Sequence, residues 1–441
     1  MTLNVNRRLF LSGVAGIVGT AVFASRSAFA ATPATINVWG AVPLERGVGA
    51  VIEAFSAKHP EITVQYTQYT NNSDGNLRLD TSLQGGAPIG VFFSYGATNV
   101  ARRTLAGYAA DLTAIAEADD NLKPFLSTDP QKTALFDGRL MAIPTVFNPY
   151  MVYVNEGLLE KTGIEIPFDW TVDDFHRIGL ELMKEAGVEA ANFKVLNIQT
   201  MILGGNASYS ADGKSSNFRD PAWRQRWELM MAMEKDGSLM SIQQVLAQKV
   251  DVYAQSHFLA QRHPFYLDNP ATTRFVKDTD NYPHDFRTTF RPMPRVEAGV
   301  GQWNEGSFED SVQISKNSKN LEAAELFATF WLGEGKQHML TGGKIPTTLP
   351  TEGRDSYASI VPGLLGDKAE ELFDVASLAD VLFADDLKLS VATELVGLSE
   401  IGSTRNGLEQ SLRLGEISID DLVDTLTEEA DAIIARERKG A

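Results

Sequence analysis

The chain has 441 residues, 44% of them hydrophobic and 22% charged, and it contains no cysteine. That length exceeds one ordinary core and predicts two domains. The missing thiols exclude disulfides, iron–sulfur clusters, thiolate zinc sites and cysteine nucleophiles. The formal net charge of −18 argues against a nucleic-acid binder, which needs a basic footprint, but leaves room for one small anion held by a local arginine or a helix N-terminus.

Residues 1–30 read as an export signal. Arg7 and Arg8 precede Phe10, Leu11 and the apolar run "GVAGIVGTAVFAS", and the A-x-A-like cleavage site "AFA" (Ala28 to Ala30) follows. The pattern resembles a twin-arginine signal. The apolar run falls short of the ~20 residues needed to span a membrane. Cleavage after Ala30 removes Arg7, Arg8 and Arg26 and no acid, which leaves a net charge of −21.

The mature chain opens with a strand, "TINVWG" (Thr35 to Gly40). Val48, Val51, Ile52 and Phe55 then recur at helical spacing, and His59-Pro60 stops that helix. The strand "EITVQYTQY" completes a β-α-β unit and predicts a parallel pair. A helix in "NLRLDTSLQGG" and a strand in "IGVFFSYG" extend an open α/β sheet. In such sheets ligands sit beyond the carboxyl ends of the strands, so the loops after Trp39, Tyr69 and Ser94 are the ones to watch. Two strands are predicted around a loop "TVFNP", the second being Met151 to Val154. An amphipathic helix carrying Phe175, Ile178, Leu182 and Met183 follows, capped by Asp169 or Thr171. Beyond it "FKVLNI", "HPFYLD", "FRTTFRPMP" and Asp310 to Ser315 read as strands. A helix with the stripe Leu326, Phe327, Phe330 and Trp331 comes next, and Leu422, Leu426, Ala430 and Ile433 line a final one.

Motifs of catalysis are missing. None of the six histidines sits in a metal-like pair, and all six are expected to be structural or at the surface. There is no G-x-S-x-G elbow and no phosphate-binding loop. "WNEGSFED" (Trp303 to Asp310) is the candidate for a glycosidase-like carboxylate pair, although solvated acids are abundant in so acidic a chain.

The segments "DGRLMAIP", "MVYVN", "EGLLEKTG" and "IPFDWTVDDF" together resemble the family 1 extracellular solute-binding proteins of ABC importers. "SVQISKNSKNLEAAELFATFWLGEGKQHML" followed by "GGKIPT" is similar to a second block of that family, and the resemblance runs in order through nearly the whole mature chain. One departure is Pro88-Ile89-Gly90-Val91, where the family usually carries Pro-Asp before the strand. The resemblance implies an α/β, two-lobed, periplasmic-binding-protein-like type II fold with the ligand in a cleft that closes by hinge motion. It implies an N-terminal lobe of 31–144 and 306–344 and a C-terminal lobe of 145–305 and 345–441. It further implies a periplasmic monomer that delivers its ligand to an inner-membrane permease, with no catalytic residue, metal or cofactor.

A sugar site needs flat apolar faces for the ring and planar polar groups for the hydroxyls. By position, Trp39, Asn71, Asn72, Ser94 and Tyr95 follow the first three strands. Phe147 and Asn148 stand where the chain first crosses between lobes, and Tyr266, Asp268 and Asn269 end a strand of the second lobe. Trp303, with Asn304 and Glu305, lies in a polar glycine-flanked loop. Trp170, Trp223, Trp227 and Trp331 are expected on helices, in the core. The expected function is capture of a carbohydrate or related polyol. The rival readings are an exported carbohydrate-active hydrolase and a binding protein for a polyamine or a phosphorylated polyol.

Overall fold

The computed structural model describes residues 33–120, 122–126, 136, 138–250 and 254–440, so the expected export signal lies outside it. Two sheets organise the chain. The first has five strands, β1 (Ala34–Gly40), β2 (Ile62–Gln68), β3 (Val91–Ser94), β4 (Ile143–Asn148) and β8 (Ser307–Ile314), in the order β2-β1-β3-β8-β4. The second has three, with β5 (Met151–Asn155) between β6 (Phe265–Asp268) and β7 (Thr288–Pro292). β1 runs parallel to β2 and β3, as the β-α-β pattern predicts. β8 returns antiparallel between β3 and β4, and β5 is antiparallel to both neighbours.

Side-chain alternation puts a core on each face of each sheet. In β5 all five residues are buried. Val152 and Val154 face a core shared with Trp223, Trp227 and the last helix, whereas Met151 and Tyr153 face another built on Phe258, Phe290 and Phe373. In the first sheet Ile36, Val38, Val91, Phe93, Val312 and Ile314 meet Phe55, Phe327 and Trp331, and Phe92 points the other way toward Tyr69 and Leu79.

Local signals explain most element ends. Asn155 caps the helix Glu156–Thr162 through its Oδ1, which accepts from the Leu158 N–H, and Gly163 ends that helix in the left-handed region at φ 69°. Thr171, not Asp169, caps the helix Val172–Ala186, in a reciprocal box with Asp174.

Four readings are corrected. The expected loop "TVFNP" is strand, because β4 stays paired with β8 through Asn148↔Ser307 and ends only at Pro149, which has no N–H for a ladder. "FKVLNI" is irregular; its neighbour Asn192 makes a single bridge to Leu239, and the helix Ile198–Leu203 starts within it. Trp170 is buried as expected, but in the connector before the Thr171 cap, where its Nε1 donates to Pro292 O at 2.9 Å. Leu326 is 40% exposed; the helix Leu321–Leu332 instead buries Ala323, Ala324, Phe327, Ala328 and Trp331, whose alanines let it lie close on the sheet.

The chain passes between the sheets three times: at Pro149–Tyr150, between β7 and β8, and near Ile345, whose carbonyl accepts from the Phe147 N–H at 2.8 Å. Because β4 is still first-sheet strand at Asn148, we propose Pro149–Tyr150, and not 144/145, as the first lobe boundary.

Candidate functional site

The passages are pinned to one another. The Asn304 side chain accepts from the backbone N–H groups of Tyr150 (2.9 Å) and Gly306 (2.8 Å) and donates to Tyr150 O at 2.7 Å. Its backbone bonds Lys388 O and Ser390 N–H. A Cβ on Gly306 would lie 2.3 Å from Asn148 O and 2.5 Å from Pro149 Cα, so only glycine lets the passages come this close. Phe147 is buried against Phe308, ring centroids 5.7 Å apart, and Asn148 donates to Glu309 at 2.9 Å.

On the first-sheet side, a cleft of about 450 Å³ opens beyond the carboxyl ends of β1 and β3. Asn71, Tyr95, Arg46 and Lys344 line it, with Glu309 and Asp310 of β8 and, from the second lobe, Arg274. The Tyr95 hydroxyl accepts from the Ala41 N–H at 2.7 Å, and burial pushes its pKa well up, so it stays a neutral phenol. Asp310, at φ 52°, pairs with Lys344 at 2.8 Å. Trp39 stands behind this wall with the Arg78 guanidinium 5.3 Å from its ring centre. Asn72 and Ser94 do structural work. Asn72 caps the helix Ser73–Gln84 by accepting from the Gly75 N–H. Ser94 is fully buried, donates to Gln313 at 2.6 Å and accepts from Arg103 at 2.8 Å.

On the second-sheet side, Asp268 accepts from Tyr266 (2.6 Å), Thr272 (2.7 Å) and the Asn269 N–H (2.9 Å). Lys194 Nζ lies 3.6 Å from Asp268 and within 6 Å of the ring centres of Tyr150 and Tyr266. Asn269 caps the short turn Pro270–Thr272. Glu305 accepts from Asn197 Nδ2, and Arg226, itself paired with Glu409 at 2.8 Å, stands behind. Burial raises the Glu305 carboxyl above its ordinary range, against the opposing pull of Asn197, Lys194 and Arg226. Trp303 borders a second, narrower crevice together with Tyr150, Asn304 and Lys388. Lys388 Nζ sits 3.6 Å from one Trp303 ring centre, and Gly204, at φ 78°, leaves space for the indole. Among the described residues no group of three or more His, Asp or Glu side chains could hold a metal ion.

A family profile for bacterial extracellular solute-binding proteins matches residues 43–338. The chain belongs to that family. A comparison with curated proteins finds no significant match. Among solved structures it is similar to a sugar transporter of Rhizobium etli in an open conformation, at 18% identity and TM-score 0.68, covering 90% of this chain and 99% of that one. It is also similar to an ABC substrate-binding protein of Listeria monocytogenes in complex with cycloalternan (17% identity, TM-score 0.70, 91% and 99% covered). The GacH receptor of Streptomyces glaucescens, solved unliganded and with acarbose, is a third (16% identity, TM-score 0.69, 91% and 98% covered). At these identities the likeness is one of fold: two α/β lobes, each a sheet flanked by helices.

In this solute-binding protein the predicted residues divide into groups. Asn71 and Tyr95 share the larger cleft, while Trp303 and Asn304 share the narrower crevice. Tyr150 lies against both Lys194 and the narrower crevice, and sequence reasoning passed over it although it lies two residues after Asn148. It also passed over Arg46, Lys194, Arg274 and Lys344. A lone cation in an otherwise acidic chain carries no local signal; only the fold shows which cations meet.

Proposed function

We propose that this solute-binding protein captures a carbohydrate or related polyol in the periplasm and hands it, without chemistry, to the permease of an ABC importer. The larger cleft carries the reading. It has about 450 Å³, enough for a small sugar, and tyrosine, asparagine and charged groups converge on it. Closure is a hinge motion about the three passages, with Asn304 tying the first two. Tyr95 and Asn71 form the first-lobe wall of the ligand site, backed by Trp39. From the second lobe Arg274 lines the same cleft, and Tyr150, Tyr266 and Asp268 are proposed to meet the ligand on closure, with Trp303 and Glu305 beside the hinge.

The test is a thermal-shift series on the mature protein with neutral sugars, polyols, sugar acids and polyamines. A ligand at a hundred times its Kd adds about 2.7 kcal/mol of stability. Stabilisation by polyamines alone discards the carbohydrate reading. The raised Glu305 carboxyl, next to Asn304 of the narrower crevice, is a feature that suits a hydrolase acid. Cleavage of a bound oligosaccharide on prolonged incubation would therefore overturn the non-enzymatic reading. Tyr95→Ala and Trp303→Ala tell the two crevices apart: loss of binding in the first variant alone places the ligand in the larger cleft.

A further inference from the structure

Two arginines in the larger cleft lack a polar partner: Arg46 is exposed, and Arg274 has only the Phe275 ring, 4.5 Å from its guanidinium. Arg46 comes from the first lobe, at the end of the turn Leu44–Arg46, and Arg274 from the second, in the short helix Thr273–Val276. Neither side chain makes a hydrogen bond or ion pair with any described residue, and Arg274 Nε is buried without a partner. Burial, the larger effect, and the neighbouring Arg46 both disfavour the charge on Arg274, against the opposing pull of Asp268. The local carboxylates are already engaged. Asp310 pairs with Lys344, Glu309 accepts from Asn148 and Ser307, and Asp268 accepts three bonds and pairs with Lys194. The cleft lining thus holds three cations against two carboxylates, in a protein whose net charge is −18.

An unpaired guanidinium with a buried Nε costs free energy unless a ligand satisfies it. Its planar fork suits a carboxylate or phosphate oxygen pair. Two such groups from opposite lobes repel each other across the cleft until an anion stands between them. We propose that the ligand is a polyhydroxylated small molecule bearing one anionic group, a sugar carboxylate or a sugar phosphate, and that Arg46 and Arg274 grip this group from the two lobes. The inference rests on the carbohydrate reading of the same cleft and narrows its substrate class.

Isothermal titration with a neutral hexose, its uronate and its phosphate ester tests it. One of the two anionic compounds is expected to bind at least about tenfold more tightly than the neutral sugar, as a charge-assisted pair of bonds implies, and to weaken as salt is raised. Which of the two binds identifies carboxylate or phosphate. Arg46→Gln and Arg274→Gln should each abolish most of that preference while leaving the circular dichroism spectrum unchanged. Equal affinity for neutral and anionic sugars, or a preference that survives in the double variant, overturns the inference and leaves the carbohydrate reading standing. If none of the three binds and neutral oligosaccharides also fail, the carbohydrate reading falls and this inference with it.

Discussion

Arg103 shows how much of the first lobe depends on one side chain. It is fully buried beside the cleft wall and bonds Asp80 (2.7 Å), Asn76 (2.7 Å) and Ser94 (2.8 Å). Removing it takes a charge-assisted bond from each of Asp80, Asn76 and Ser94, leaving Asp80 with Arg102 at 2.6 Å and Ser94 with Gln313. Arg103→Ala should cost about 3–5 kcal/mol in urea unfolding; a loss below 1 kcal/mol would mean that water replaces it, as at an exposed pair. His263 is the corresponding case for pH. Its ring is fully buried, its Nδ1 donates to Ala190 O at 3.0 Å, and its Nε2 has no partner. Burial holds its pKa below the ordinary histidine value, and His257, 6.1 Å away ring to ring, adds to this along with Arg262, while Glu189 and the Ala190 bond oppose it. The unfolded chain therefore takes up a proton near pH 6.5 that the folded chain refuses. That stability is complete above about pH 6.5 and declines as the pH falls below it. His263→Gln should flatten the slope of melting temperature between pH 7 and pH 5. An unchanged slope would assign the acid sensitivity to other groups.

At the scale of elements, ends are written locally and partners are not. Asn155, Thr171, Asp220 and Ser241 each cap the helix that follows through a side-chain bond to its first turn. Such caps are legible because capping residue and helix are neighbours in sequence. β4 was harder to read, since "TVFNP" becomes strand only where β8, far along the chain, offers it a ladder. The same long-range contact makes Gly306 sensitive. Gly306→Ala pushes a Cβ into Asn148 O and Pro149, and overpacking of that kind costs about 1–3 kcal/mol. The melting temperature should fall, and ligand affinity with it if the passages act as the hinge. A drop in stability with affinity intact would separate the passages from closure.

For the whole molecule, the proposed closure of the two lobes about the passages is one a ligand can drive only through contacts made better in the closed state. Small-angle scattering should show a smaller radius of gyration with saturating ligand than without it; identical curves at saturation would rule out closure. The sequence by itself determined the alternation of strands and helices, the core faces of most helices and the family, because hydrophobic periodicity, caps and motif order are properties of neighbouring residues. Only the tertiary structure decided that Ser94 and Asn72 are structural and that Asn304 ties the passages. It alone brought Arg46 and Arg274 unpaired to one cleft. Burial and pairing depend on residues brought together from distant parts of the chain, and no local pattern records whether a charge meets its partner or waits for one.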